Sequence, residues 1–410
     1  MTRLDRRDLL RAGAVAALGG LGFGCTWRRQ PQTSPVAPPA APGPPTGGAA
    51  WADAAGPGLA RVEVAAEREI RTVVGLRPFR AGGFRVAVES LADKLLVHNY
   101  GHGGSGITFS WGTSQLAVEG ALAAVSEAGF SNRWGADGAG GQAGAALSCA
   151  VLGCGVMGLT TAILMQREGW HVTIYAKDVP PHTTSNIAGG FWAPHAVSDP
   201  GRTTADFQRQ FVRAARLAHR AFQEIVGDHY GVRWIDNYAL TNAPQEPPGV
   251  EDGLQDLYPE ARLLSPAEHP FPRAHALGYK SLLIEPHHYL NAMLRDFHIA
   301  GGRLVRRTFA DLADVATLSE PLLFNCTGLG AGQLVNDPEM EPIRGQLTFL
   351  VPQPEVDYTV LAGELYMFPR SDGILLGGTH ERGSWSLEPD AATRGRIVRG
   401  HRELFGLDAT

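Results

Sequence analysis

Residues 149–178 read CAVLGCGVMGLTTAILMQREGWHVTIYAKD, and this stretch decides the fold. A short apolar run, 150–152, enters a turn in which Gly153, Gly155 and Gly158 are spaced G-x-G-x-x-G. A helix follows and stops at Gly169, and HVTIYA then supplies the β-branched and aromatic residues of a second strand. In such a βαβ unit the first glycine permits the turn. The second lets a pyrophosphate approach the backbone, and the third lets helix and strand pack closely. The free N–H groups at the helix start, from Val156 and Met157 onward, face the phosphates. The stretch therefore predicts a dinucleotide site, although such units usually open a chain and this one begins near residue 149.

The sequence has 410 residues, 44% of them hydrophobic, enough for one or two domains with a proper core. A net charge of −5 gives no reason to expect a nucleic-acid partner. Residues 1–25 stand apart from the fold. A basic opening with Arg6-Arg7 precedes a weakly apolar run, 12–24, too short for a spanning helix. This resembles a twin-arginine export signal, which implies a periplasmic or cell-surface protein. The run ends at Gly24-Cys25, which resembles a lipoprotein cleavage site with Gly22 where that pattern prefers leucine; a lipid on Cys25 would attach the chain to a membrane. Pro, Ala and Gly dominate the residues that follow, so 26–69 is expected to be a tether without a core of its own. Cys149, Cys154 and Cys326 sit in apolar strands or turns. Their spacing suggests neither a metal site nor a disulfide framework, so buried free thiols are expected.

Two further stretches flank the opening one. VGLRPFR, 74–80, is a strand that Pro78 is expected to break, leaving Arg77 at the break. KLLVHNYGHGGSGITFSWG, 94–112, is a strand and a glycine loop before a helix expected over 111–125. The backbone N–H groups of that loop suit an anion or a polarised ring. A Gly/Ala stretch, 126–148, reads as a flexible joint. Downstream, 203–230 reads as one amphipathic helix, 231–242 as a strand pair, and 321–334 as a buried strand ending in a glycine loop.

Together these strings resemble the FAD-dependent D-amino-acid oxidase family over nearly all of residues 70–410. GCGVMGL resembles its FAD turn, and YAKDVPPHTTSNIAGGFWAP its flavin-contacting loop. NCTGLGAGQL before RGQ resembles the strand beside the cofactor, and LLGGTHERGSW the family's G-G-x-x-x-x-G-x-W pair. The order differs. VGLRP and HNYGHGG come last in the family and first here, so the chain resembles a circular permutant, with the old ends joined across 126–148.

The resemblance implies an α/β fold: a Rossmann-type FAD-binding domain with an interleaved α+β substrate domain of mixed or antiparallel sheet. On that basis 70–93, 201–283 and 346–410 are expected in the substrate domain, and 94–125, 149–200 and 284–345 in the FAD domain. It implies Arg77 as the clamp for a substrate carboxylate, with Tyr366 sharing it. His380 and Gly104 fall at the substrate pocket. For FAD it implies Gly153, Gly155, Val156, Met157 and Gly158, and on the opposite side Thr183, Thr184, Ala188 and Gly189. Gly103, Gly104, Ser105, Gly106, Ile107 and Thr108 would stabilise the reduced flavin, with Thr327 and Gly328 beside it. The family's acidic ribose contact is displaced: Lys177 occupies its place and Asp178 follows. Ala362 stands where a lid tyrosine is usual, so the lid is expected to be altered or missing. No metal is implied.

The implied reaction takes a D-amino acid and O2 to a 2-oxo acid, ammonia and hydrogen peroxide. Alternatives stay open: a D-aspartate- or D-glutamate-selective oxidase favoured by His380 or Arg382, a dehydrogenase passing electrons to a membrane quinone, or a flavin-binding scaffold without catalysis. The sequence does not order the D-substrates, nor does it indicate an oligomeric state.

Overall fold

A computed structural model describes residues 58–127 and 147–407. The signal segment, Cys25, most of the tether and nearly all of the 126–148 joint lie outside the described residues.

The strands form two sheets. In chain order they are β1 (Glu69–Arg80), β2 (Arg85–Leu91), β3 (Lys94–Tyr100), β4 (Ser148–Leu152), β5 (His171–Ala176), β6 (Val232–Thr241), β7 (Arg262–Leu264), β8 (His275–Ile284), β9 (Arg303–Arg306), β10 (Leu322–Asn325), β11 (Met340–Leu350), β12 (Tyr358–Ala362), β13 (Leu365–Arg370), β14 (Gly373–Gly377) and β15 (Glu381–Arg382). The first sheet runs β2-β3-β10-β4-β5-β9, parallel except for the β2–β3 hairpin. The second runs β1-β11-β14-β13-β12-β6-β8-β7 with β15 beside β11, antiparallel except where β12 meets β6. This is the α/β architecture expected, a Rossmann-type sheet interleaved with a mixed one.

The helices used below are α1 (Gly106–Glu127), α2 (Val156–Arg167), α3 (Thr184–Ile187), α4 (Ala205–Glu224), α5 (Pro286–Ile299), α6 (Leu312–Ala316), α7 (Gly330–Leu334) and α8 (Ala391–Leu404). The first sheet, α1, α2, α4 and α5 enclose the larger core. β4 reads as an unbroken apolar run because both of its faces are covered: Cys149 and Val151 join this core, while Ala150 and Leu152 face a smaller cluster under α6. A second core lies under α8. Among the described residues no helix is long and apolar enough to cross a membrane.

Several expectations need correction. β1 runs unbroken through Arg77 and Pro78 to Arg80. It is an edge strand, and Pro78 faces Pro342 across the ladder, a position where neither residue needs to donate. α1 starts at Gly106, five residues earlier than the periodicity indicated, because the glycine loop coils directly into it. Residues 231–242 hold a single strand, β6, rather than a pair.

The expected partition shifts as well. β2 joins the first sheet, so 70–93 is divided between the sheets. β11 lies wholly in the second, taking 340–345 with it. α4 packs on α1 and also touches the second sheet, where His219 lies against Trp234 of β6 with ring centroids 5.7 Å apart. The tether stops short of residue 69: Val62 and Val64 are fully buried in the second core. Gln353 brackets the backbone between them, accepting from Glu63 N at 2.8 Å and donating to Glu63 O at 3.1 Å. The V-x-V alternation was the available signal.

The α1–α4 contact depends on one glycine. A Cβ on Gly112 would sit 1.9 Å from the Ala214 carbonyl oxygen. Gly112→Ala is expected to destabilise the protein by about 1–3 kcal/mol, read as a lower urea midpoint.

Candidate active site

The carboxyl ends of β3, β4, β5 and β10 converge on a cavity of about 1060 Å³, whose other wall is the second sheet. Ligands of open α/β folds bind at this end of the strands. The volume lies at the upper limit of small-molecule and cofactor sites, about 300–1,000 Å³.

At the β4 end, Gly153 has φ +106°, and a Cβ there would meet the Cys326 carbonyl at 2.5 Å. A Cβ on Gly158 would lie 1.9 Å from Gly153 O. Gly158 therefore stands behind the wall, locking α2 onto the turn, and does not line the cavity. A Cβ on Gly155 would approach only Ser185 Oγ, at 3.1 Å, so the turn is open on its cavity side. Val156 N donates to that same hydroxyl at 3.0 Å. Ser185, which the motif reading passed over, covers the start of α2. Lys177 and Asp178 both line the cavity just beyond β5 and are exposed, so both remain candidates for a ribose contact.

In the loop after β5, Thr184 is exposed on the wall, whereas the Thr183 hydroxyl donates to Asn186 Oδ1 at 2.8 Å and fixes the short α3. Gly189 and its neighbour Gly190 leave no room for a side chain. A Cβ on Gly189 would meet the Phe368 ring at 2.7 Å, and one on Gly190 the Ile284 carbonyl at 1.9 Å. Ala188 and Gly189 still line the cavity.

Gly103, Gly104, Gly106, Ile107 and Thr108 line the facing wall. Ser105 does not: its hydroxyl is turned away and donates to the Ala193 and His195 carbonyls. Thr108 also holds that strap, accepting from Ala193 N at 3.2 Å. Thr327 and Gly328 line the wall, with the Thr327 hydroxyl donating to Asn325 Oδ1 at 2.7 Å. Asn99 reaches the same cavity, and its buried Oδ1 has no partner among the described residues. The open glycine turn, the helix start and this unpaired amide oxygen fit a dinucleotide cofactor.

The other end of the cavity is built by the second sheet. Arg77 Nη1 donates to the Thr379 carbonyl at 3.2 Å, and Nη2 to the Tyr366 hydroxyl at 3.3 Å. No carboxylate among the described residues lies within ion-pair distance of it. Two glycines make room. A Cβ on Gly345 would sit 2.8 Å from Arg77 Nη2, and one on Gly377 would sit 2.1 Å from the Tyr366 ring. Tyr366 stacks on Phe368, ring centroids 5.1 Å apart, and Phe368 on Phe191 at 5.5 Å.

His380 and His195 are exposed on this wall. Desolvation within the site, reinforced by the Arg77 charge, holds both imidazoles below the ordinary histidine value. His195 was not foreseen, since a lone histidine after a proline carries no pattern. Arg382 is excluded from the site: Asp199 binds it through two contacts, at 2.7 and 3.0 Å, and Glu341 takes its Nε at 3.1 Å. The three cysteines are buried and free as expected, and burial pushes Cys154 and Cys326 up to about 12.

A protein-family model described as "FAD dependent oxidoreductase" matches residues 148–409. The chain belongs to that family. A D-amino-acid oxidase from Streptomyces coelicolor is 32% identical over 255 residues, 61% of this chain and 75% of that protein. A D-aspartate oxidase from Homo sapiens is 30% identical over 258 residues, 61% of this chain and 73% of that protein. Among solved structures, a glycine oxidase from Bacillus cereus aligns with TM-score 0.49 and 14% identity, over 64% of this chain and 79% of that chain. FAD is the cofactor that the family brings to the glycine-lined cavity.

A buried cluster holds the two walls together. Asp337 Oδ2 accepts from the Tyr100 hydroxyl at 2.8 Å and from Arg80 Nε at 2.9 Å, joining the ends of β3 and β1. Burial pushes the Tyr100 phenol up to about 12, so it remains a donor. Burial also opposes the Asp337 charge, but the bonds from Arg80 and Tyr100 outweigh it and hold the carboxyl below its usual value. Its folded value is thus below its unfolded one, about 3.9. The stabilisation is present above that value and is lost as pH falls through the folded one. Asp337→Asn is expected to cost about 1–3 kcal/mol at neutral pH and to flatten the acid limb of a stability–pH curve measured by denaturant titration.

Proposed function

We propose that this protein oxidises free D-amino acids. The reaction is R–CH(NH2)–COOH + O2 + H2O to the 2-oxo acid, ammonia and H2O2. The observation that carries the reading is Arg77, a half-buried guanidinium without a carboxylate partner among the described residues, held by Thr379 O and the Tyr366 hydroxyl at the wall of the cavity. The relatives named D-amino-acid oxidase support the substrate class.

Each residue has a distinct part. The planar Arg77 guanidinium receives the substrate α-carboxylate, and Tyr366 donates to the same group. Thr379 O and Gly345 fix the direction of the guanidinium, so the α-carbon is held in one orientation. FAD, when bound, supplies the acceptor for the α-hydrogen and its electron pair and passes the electrons to O2. The amides from Gly103 to Thr108, at the start of α1, present a positive dipole end to that part of the cavity. The amine needs only to be neutral, so no strong general base is required.

The test uses the flavin-loaded full chain with a panel of D- and L-amino acids, following oxygen uptake and peroxide. Reduction of an added quinone by D-amino acid, without oxygen uptake, would instead assign the electrons to a quinone. Arg77→Lys is expected to lower kcat/KM about ten- to a hundredfold, mainly through KM, with the visible flavin spectrum unchanged; Tyr366→Phe is expected to cost about tenfold. Loss of flavin in Arg77→Lys would sink the assignment of this residue.

The finer readings are proposals of the same kind. The chain order is read as a circular permutation, with β1 to α1 moved ahead of β4. It is supported by a contact between the two ends of the described chain: Arg402 Nη1 donates to Val64 O at 2.8 Å. Ends that meet at a surface are where new termini are tolerated. Arg6-Arg7 supports export after folding, and Cys25 supports a lipid anchor at a membrane surface. Replacing Arg6 and Arg7 together by lysine is expected to keep the flavoprotein inside the cell, read by fractionation.

A further inference from the structure

The rim of the substrate end carries a charge that the reaction does not use. β12 and β13 are joined by a two-residue turn, Gly363-Glu364, with Ala362 paired to Leu365. Gly363 has φ +60°, the left-handed value that closes so short a turn. The turn leaves Glu364 exposed on the cavity wall, two residues before Tyr366 on the same chain. Glu364 and Tyr366 line the same cavity with only Leu365 between them in the chain, so a long side chain whose α-carboxylate is held at Arg77 and Tyr366 extends towards the turn. Among the described residues no cation and no donor lies within ion-pair or hydrogen-bond distance of the Glu364 carboxylate.

The other groups at this end do not offset it. Arg77 is assigned to the α-carboxylate. Arg382 is occupied by Asp199 and Glu341. His195 and His380 are held towards the neutral form. Lys177 and Asp178 lie beyond β5, at the dinucleotide end. A substrate side chain leaving the α-carbon towards the rim therefore meets a free carboxylate beside two imidazoles whose charged form the site disfavours.

We propose that Glu364 is a specificity-determining residue that favours D-amino acids whose side chain ends in a cation, such as D-lysine or D-ornithine. The α-carboxylate sits on Arg77 while the distal ammonium sits against Glu364. An acidic side chain would bring a second carboxylate to the same rim and be disfavoured. This inference rests on the D-amino-acid reading above. Because Glu364 is solvent-exposed, the preference is modest, about fivefold, and is expressed in KM.

The experiment measures kcat/KM for D-lysine, D-norleucine and D-glutamate with the flavin-loaded full chain, its Glu364→Gln variant and its Glu364→Lys variant. D-Norleucine shares the lysine chain without the ammonium, so turnover of it also reports that each variant is folded. Glu364→Gln should lower the D-lysine to D-norleucine ratio about fivefold. Glu364→Lys should lower it further and raise the D-glutamate to D-norleucine ratio. An unchanged D-lysine to D-norleucine ratio in Glu364→Gln overturns the proposal, as does a wild-type preference for D-glutamate over D-lysine. Inertness of the wild type towards every D-amino acid overturns the reading of the whole site, and is distinguished by the absence of D-norleucine turnover.

Discussion

A guanidinium taken partly out of water without a carboxylate to neutralise it is costly, and much of the second sheet is arranged around that cost. Arg77 projects from an edge strand across Gly345 of its neighbour, β11. Its two terminal nitrogens reach Thr379 just beyond β14 and Tyr366 on β13. Four consecutive strands of the sheet order thus contribute to one side chain. Gly345 and Gly377 are glycines because the guanidinium and the phenol ring occupy the places where their Cβ atoms would stand. The partners present are a carbonyl and a hydroxyl, which orient the charge and leave it uncompensated. A ligand carboxylate completes the set.

The same logic explains why two sheets are needed. The first provides the glycine turn and helix start that suit phosphates, at the carboxyl ends of parallel strands. Its arginine on the cavity wall, Arg307 after β9, is bound to Asp314 Oδ1 at 2.6 Å. The second provides Arg77 but no phosphate cradle. The cavity exists only where the two meet, and the meeting is held by Asp337 with Arg80 and Tyr100 and by the strap from Ala193 to Ala196 against α1. Ser105 and Thr108 belong to this join, which is why the Ser105 hydroxyl faces the strap and not the cavity.

The β12–β13 hairpin gives the substrate end its open character. The turn is only two residues long, and Glu364 and His380 both line the cavity at this end. Ala362 is the last ladder residue before that turn.

What the sequence determined by itself was local in origin. The βαβ unit, the glycine loop before α1, the apolar run of β10 and the free, buried cysteines follow from short-range spacing and from covered faces. These features identify a dinucleotide fold in a chain read from its middle outward. Motif resemblance added Arg77 and Tyr366, 289 residues apart, which no periodicity could have paired. The tertiary structure alone decided the rest, because those properties are set by neighbours distant in the chain. Edge position lets β1 continue through Pro78. Phe368 and the Ile284 carbonyl stand where side chains at Gly189 and Gly190 would go. Asp199 and Glu341 remove Arg382 from the site, and the arrival of His195 beside Arg77 depends on a strap whose course no local pattern encodes. Backbone spacing is written in the sequence; which side chains are left with an unsatisfied charge or an open face is a property of the packed whole.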